Sequence, residues 1–209
     1  FFCKVSYLKH MYFEIFLNLA KVIIITSADE GWVEYSAERF VPKLIPILEG
    51  IKVVSARSRY EEFYPKKSLC WKAAAFAHEV NEIFNSRDSR SSFNDTSMVS
   101  TPSCSITSTS SSDRKRREII SFGDSMDERT AVKIVASQLN ASSKSVKFIQ
   151  HPSPIQIIGQ LRIVISQLDY ILDRYDDIDV EISKPHALKS AESILNQILN
   201  KRNSGYVSE

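Results

Sequence analysis

A chain of 209 residues, 43% hydrophobic and 25% charged, can bury one good core, so a single domain is expected. Its formal charge of +2 is too small to make nucleic acid or a membrane surface the main partner. Cys3, Cys70 and Cys104 are too few and too scattered for a disulfide framework and lack the paired spacing of a zinc site. A reducing, intracellular setting is expected, cytoplasmic in the first instance.

The opening FFCKVSYLKHMYFEIFLNLAKVIIIT is strongly apolar, but Lys4, Lys9, Glu14 and Lys21 cut it into pieces shorter than the ~20 apolar residues that a membrane span needs. No small-residue cleavage site follows it. The spacing of Leu8, Tyr12, Ile15 and Leu19 predicts a helix over about 6–20, and the β-branched run 22–25 predicts a fully buried strand. The sequence opens at Phe1 rather than Met, and we expect its true beginning to lie upstream. A helical pattern from about 31 to 40, the proline-punctuated VPKLIPILEG and a second β run, IKVVSA at 51–56, come next. The loop RSRYEEFYPKKS then leads into a helix over about 69–84.

From 86 to 112 serine dominates and large apolar residues are few, which predicts a disordered insert. Arg114, Lys115, Arg116 and Arg117 close this insert, 86–117 in all; they read as a solvated linker end, with a nuclear-import signal or a dock for an acidic partner as the alternatives. Beyond it come a strand at 118–122, the segment GDSMDER, a helix over about 127–140 with Val132, Val135 and Leu139 inward, and a strand SVKFI at 145–149. Two helical stripes end the chain. Ile158, Leu161, Ile165, Leu168 and Leu172 place one over 154–175, expected to cover the sheet; Leu188, Ala191, Leu195, Ile198 and Leu199 place the other over 185–201. The second is expected to pack beside the first, the alternative being a contact surface for a protein partner. The domain plan is therefore an α/β unit over 1–85 and 118–175, the insert, and a C-terminal helix and tail over 176–209.

Alternating strands and helices predict a Rossmann-like parallel sheet with helices on both faces, and in such sheets ligands sit at the carboxyl ends of the strands. That rule gathers Thr26 and Ser27 from the first strand, Ser55 and Arg57 from the second, and Gly123 with Asp124 from the third. Just past Gly123, the carboxylates of Asp124, Asp127 and Glu128 fall within five positions and suggest a cation site. Lys72, at the start of its helix, can reach the same rim once the insert is looped out. A hydroxyl, an ammonium and clustered carboxylates suit a phosphate held beside magnesium. His78, His151 and His186 lack metal-ligand spacing, and Trp32 and Trp71 read as core or rim. Asp177 and Asp179 in YDDIDVEI read as a solvated helix end.

The segments VIIITS, CWKAAAF and IISFGDSMDE resemble motifs two, three and four of the haloacid dehalogenase (HAD) superfamily, mostly magnesium-dependent phosphatases. VIIITSADEGWVEYS, VVSARSRYE and WKAAAF further resemble an uncharacterised protist group within it; the likeness spans about 12–165 without the insert. The resemblance implies that Thr26 binds the transferring phosphoryl group, that Lys72 neutralises it, with Lys66 and Lys67 in reserve, and that Asp124 with Glu128 or Asp127 supports Mg2+. It also implies a first motif, D-x-D-x-T, whose leading Asp is the nucleophile. No Asp precedes Asp29 here, so the chain as given is expected to be inactive, a fragment starting just after that motif. The alternative is a non-catalytic scaffold protein of the same fold. With room only for a loop between Ser55 and Lys72, an open site of this sort suits a macromolecular phosphosubstrate.

Overall fold

The computed structural model describes residues 20–92 and 117–204. The helix expected over 6–20 and most of the serine-rich insert lie outside the described residues. The fold is mixed α/β. In chain order it runs β1 (Ile23–Thr26), α1 (Trp32–Phe40), a 3-10 turn Pro42–Leu44, α2 (Ile45–Leu48), β2 (Lys52–Ser55), α3 (Ala56–Tyr60) and α4 (Ser68–Ser92). There follow β3 (Glu118–Gly123), α5 (Met126–Gln138), β4 (Ser142–Lys147), α6 (Pro154–Ser166), α7 (Leu168–Asp173), β5 (Ile178–Glu181) and α8 (Lys184–Ser204).

Every strand pairing is parallel, but the strands form two small sheets rather than the one expected: β1-β2 and β3-β4-β5. Helix α4 ties them together. Its Trp71 and Ala75 pack with Ile23, Ile25 and Val54 of the first sheet, while Phe76, Val80 and Phe84 pack with Ile119 and with Val132 and Val135 of α5. The start of α4 lies at the carboxyl ends of both sheets, where Trp71 meets Ala56 and Ser68 meets Asp127; its later turns lie at their amino ends, where Glu79 pairs with Lys52 and Phe84 with Arg117. The helix is thus antiparallel to β2 and to β3, and the two sheets run the same way. Thr26 and Asp124 accordingly share one rim.

The three-stranded sheet is covered on both faces. Ile120, Phe122, Val146 and Ile178 point toward α6, α7 and α8, burying Val164, Ile171 and Ala187. Of residues 176–209, expected as a separate helix and tail, the described part, 176–204, joins this unit: β5 pairs with β4, and α8 packs on α6 so closely that a Cβ on Gly159 would come within 1.9 Å of the Ala187 carbonyl oxygen. The stripe of α8 is used in packing at Ala187 and Ala191, and Leu188 remains exposed.

Several boundaries differ from the sequence reading. The helix expected over 154–175 breaks at Gln167 into α6 and α7, and YDDIDVEI is strand β5 rather than a helix end. The loop after β2 contains α3, nucleated by Ser55, whose Oγ accepts the Ser58 amide hydrogen at 3.0 Å. Helix α4 runs on to Ser92, so the first residues assigned to the disordered insert are helical. β4 begins at Ser142 rather than 145, because its ladder with β3 opens at Glu118 opposite Ser142. β1 is half-buried throughout, not fully buried: one of its edges has no ladder partner among the described residues. No helix among the described residues is long and apolar enough to cross a membrane.

Candidate functional site

The rim at the end of β3 is built by a reciprocal helix cap. Ser125 precedes α5 in extended conformation; its Oγ accepts the Glu128 amide hydrogen at 3.5 Å, and its own amide donates to Glu128 Oε2 at 2.9 Å. The Glu128 side chain is thereby folded back across the strand end. It passes so close to Gly123 that a Cβ there would lie 2.9 Å from Glu128 Cγ, so any larger residue at that point would displace the Glu128 side chain.

Into this turn α4 delivers Lys72. The residue is 7% exposed, and its ammonium forms an ion pair with Glu128 Oε1. One turn earlier, Ser68 Oγ donates to Asp127 Oδ2 at 2.5 Å. Burial lowers the Lys72 pKa from its ordinary value, and the charges of Asp127 and Asp124 oppose that shift. Asp124 itself is exposed, and its carboxylate makes no hydrogen bond or ion pair among the described residues. Four of the residues expected in the site therefore converge: Lys72, Asp124, Asp127 and Glu128.

Thr26 lies on the same rim but makes no contact with that cluster among the described residues. Its Oγ1 accepts the Ala28 amide hydrogen at 3.1 Å, turning the chain out of β1. Ser55 Oγ donates to the Ala28 carbonyl at 2.7 Å and anchors this turn to β2. Inside it the Ser27 hydroxyl is sealed from solvent without a hydrogen-bond partner, as is that of Ser36 on α1. The reserve lysines, Lys66 and Lys67, are exposed in the loop before α4, with Lys66 in the left-handed region at φ 59°. Trp71 is core, its indole nitrogen donating to the Tyr64 carbonyl at 2.7 Å.

A second polar group escaped the sequence reading. His78, Glu79 and Glu82 bring potential ligand atoms within 4.8 Å of one another, and the i, i+4 spacing of His78 and Glu82 was its available signal. Its buried member, Glu79, is already neutralised by Lys52 at 2.6 Å and Arg59 at 3.2 Å, which marks the group as the clamp between α4 and β2.

For a magnesium ion, the rim of β3 offers hard oxygen donors of suitable type. Glu128 is committed to Lys72 and to the helix cap, and Asp127 to Ser68, which leaves Asp124 open. Among the described residues Asp124, Asp127 and Glu128 do not bring three ligand atoms within 4.8 Å of one another, as His78, Glu79 and Glu82 do; Asp124 alone could supply one oxygen to a Mg2+ that otherwise keeps waters and takes phosphate oxygens. Comparison of the chain with models of known protein families, with curated proteins and with solved structures finds no match in any of the three.

Proposed function

We propose that this chain is a fragment of a magnesium-dependent phosphatase of the haloacid dehalogenase type, whose aspartyl nucleophile lies upstream of Phe1. The observation that carries the reading is the delivery of a nearly enclosed lysine by α4 to the carboxylates that end β3, two segments separated by the whole serine-rich insert. The two-sheet arrangement supports it. β1 and β3 run the same way beneath one helix, and each has an edge without a partner among the described residues. One further parallel strand between them would complete a single sheet ordered β2-β1-new-β3-β4-β5, with its carboxyl end opening between Thr26 and Asp124. An Asp there would reach both.

In this reading Thr26 hydrogen-bonds a phosphoryl oxygen and Lys72 balances the charge of the group, with Glu128 serving to orient Lys72. Asp124, supported by Asp127, holds Mg2+, which when bound neutralises charge on the transferring phosphoryl group. The substrate is a phosphomonoester, on a protein or another large molecule where the site stays open. A second reading, a non-catalytic scaffold, is favoured by one feature: Lys72 with Glu128, and Ser68 with Asp127, already satisfy each other.

Expressing the chain joined to its upstream coding sequence and measuring magnesium-dependent phosphate release from an aryl phosphate separates the two. Turnover that is lost in Asp124→Asn and Lys72→Ala is expected, with none from the 209-residue chain alone. Efficient turnover by the chain alone would overturn the proposed division of labour, and an upstream sequence without D-x-D-x-T would leave the scaffold.

A further inference from the structure

Beside Asp124, on the side of β3 toward β4, a cleft of about 280 Å³ opens between the strand ends and α6. Asp124 stands in its wall, and Phe148, Pro152, Ile157 and Leu161 make most of the rest. Its shape is fixed by hydrogen bonds that local sequence dictates. The Phe148 amide donates to the Gly123 carbonyl at 2.7 Å, continuing the β3-β4 ladder one residue further, and the Phe148 ring stacks on Phe122 at 6.3 Å. The Ile149 amide donates to Gln160 Oε1 at 2.6 Å, and Gln160 is only 3% exposed. Ser153 and Gln156 form a reciprocal cap with Pro154 in the first turn, which sets where α6 begins. The segment between β4 and α6 is therefore pinned at both ends, and the cleft is pre-formed.

We propose that this cleft takes the leaving group of the substrate and that it selects phosphomonoesters of aromatic alcohols over those of sugars or glycerol; the assignment rests on the phosphatase reading above. Asp124 belongs both to the cleft and to the carboxylate rim. A phosphoryl group held at Asp124 would therefore lie beside a wall that is mostly apolar. The hydroxyls of a sugar placed there would lose their water against Phe148, Pro152, Ile157 and Leu161 without gaining partners, whereas a flat ring buries its faces. The volume lies just below the range of ligand pockets, of order 300 to 1,000 Å³, which leaves room for one ring and not a fused pair.

The test is equilibrium binding to the 209-residue chain in magnesium, by calorimetry and amide chemical shifts, with phenyl phosphate, glycerol 3-phosphate and orthophosphate as probes. Phenyl phosphate is expected to bind about tenfold tighter than glycerol 3-phosphate and to shift the Phe148 and Leu161 amides. Leu161→Trp, which fills the cleft, should erase that preference while orthophosphate binding persists. The shift map of the unaltered chain stands whether or not that variant folds. Equal binding of the two esters, with orthophosphate still requiring magnesium and Asp124, would overturn the cleft assignment alone. Orthophosphate binding that ignores magnesium and survives Asp124→Asn would overturn the phosphatase reading and the leaving-group assignment with it.

Discussion

Strand β1 reads Ile-Ile-Ile-Thr and every residue in it is half-buried; strand β4 reads Ser-Ser-Lys-Ser-Val-Lys and is buried from Ser143 onward. Composition and burial are inverted between them, and position in the sheet is the cause. β4 lies between β3 and β5 with helices on both faces, whereas β1 has β2 on one edge and α4 over one face. The polar groups of β4 are matched by specific partners. Lys144 Nζ lies 3.0 Å from Glu118 Oε1 and donates to the Leu172 carbonyl at 3.3 Å; Lys147 Nζ reaches Glu181 Oε1 at 2.7 Å; and the Ser143 amide donates to Asp177 at 2.6 Å. Breaking a buried pair so matched leaves an uncompensated charge, so its loss costs more than the pair contributes to net stability.

The sharpest way to break this contrast is Lys144→Ala. Lys144 is fully enclosed, and removing its ammonium takes away the charge that Glu118 faces, so a loss of about 4 kcal/mol is expected in denaturant unfolding. Lys144→Met, which keeps the packing volume, should recover part of that loss, and a neutral result for Lys144→Ala would mean that the polar strand is not tightly held. Gly159→Ala comes next, at about 3 kcal/mol, because the added methyl would meet the Ala187 carbonyl at 1.9 Å and push α8 off α6. Loss of the near-ultraviolet circular dichroism with retained helix content is the expected signature.

In the two-stranded sheet, Ile24→Ala should cost only about 1.5 kcal/mol, since the side chain is not fully enclosed. Amide hydrogens of β1 should exchange about tenfold faster than those of β4, a gap of about 1.4 kcal/mol in local opening. Equal protection would show that β1 is as well covered as β4. The smallest effect belongs to the edge of the other sheet. The Asp179 carboxyl is held below its usual pKa by a hydrogen bond from Arg129, with Lys133 adding to it. Because the folded value is the lower one, its contribution is fully present above the unfolded value near 4 and fades as pH falls through the folded value. Asp179→Asn should therefore cost about 0.5 kcal/mol at pH 7, the group being a third exposed, and the two proteins should converge in stability once the pH has fallen below the folded value.

The elements whose signals are local were legible beforehand. The run of β-branched residues gave β1, the helical spacing of Val132 and Val135 gave α5, and both residues are fully buried. Gly123 and Asp124 stand at a strand end, as the polar switch after IISF implied, and Lys72 does arrive beside them. Strand β5 was missed, its acids being read as a solvated helix end: the partners that hold them, Arg129 and Lys133 for Asp179 and the Ser143 amide for Asp177, come from elements far away in sequence.

What the sequence by itself determined is the set of properties that act within a few residues: the period of the apolar side chains, the caps at Ser125 and Ser153, and the order of strand and helix. What only the tertiary structure decided is which groups lose their water and against what. The split into two sheets, the enclosure of Lys72 against Glu128, the burial of Lys144 in a strand of serines and the closed approach at Gly159 all depend on neighbours brought in by the packing of α4, α6 and α8. Desolvation and ion pairing act through space, so no short stretch of sequence carries them.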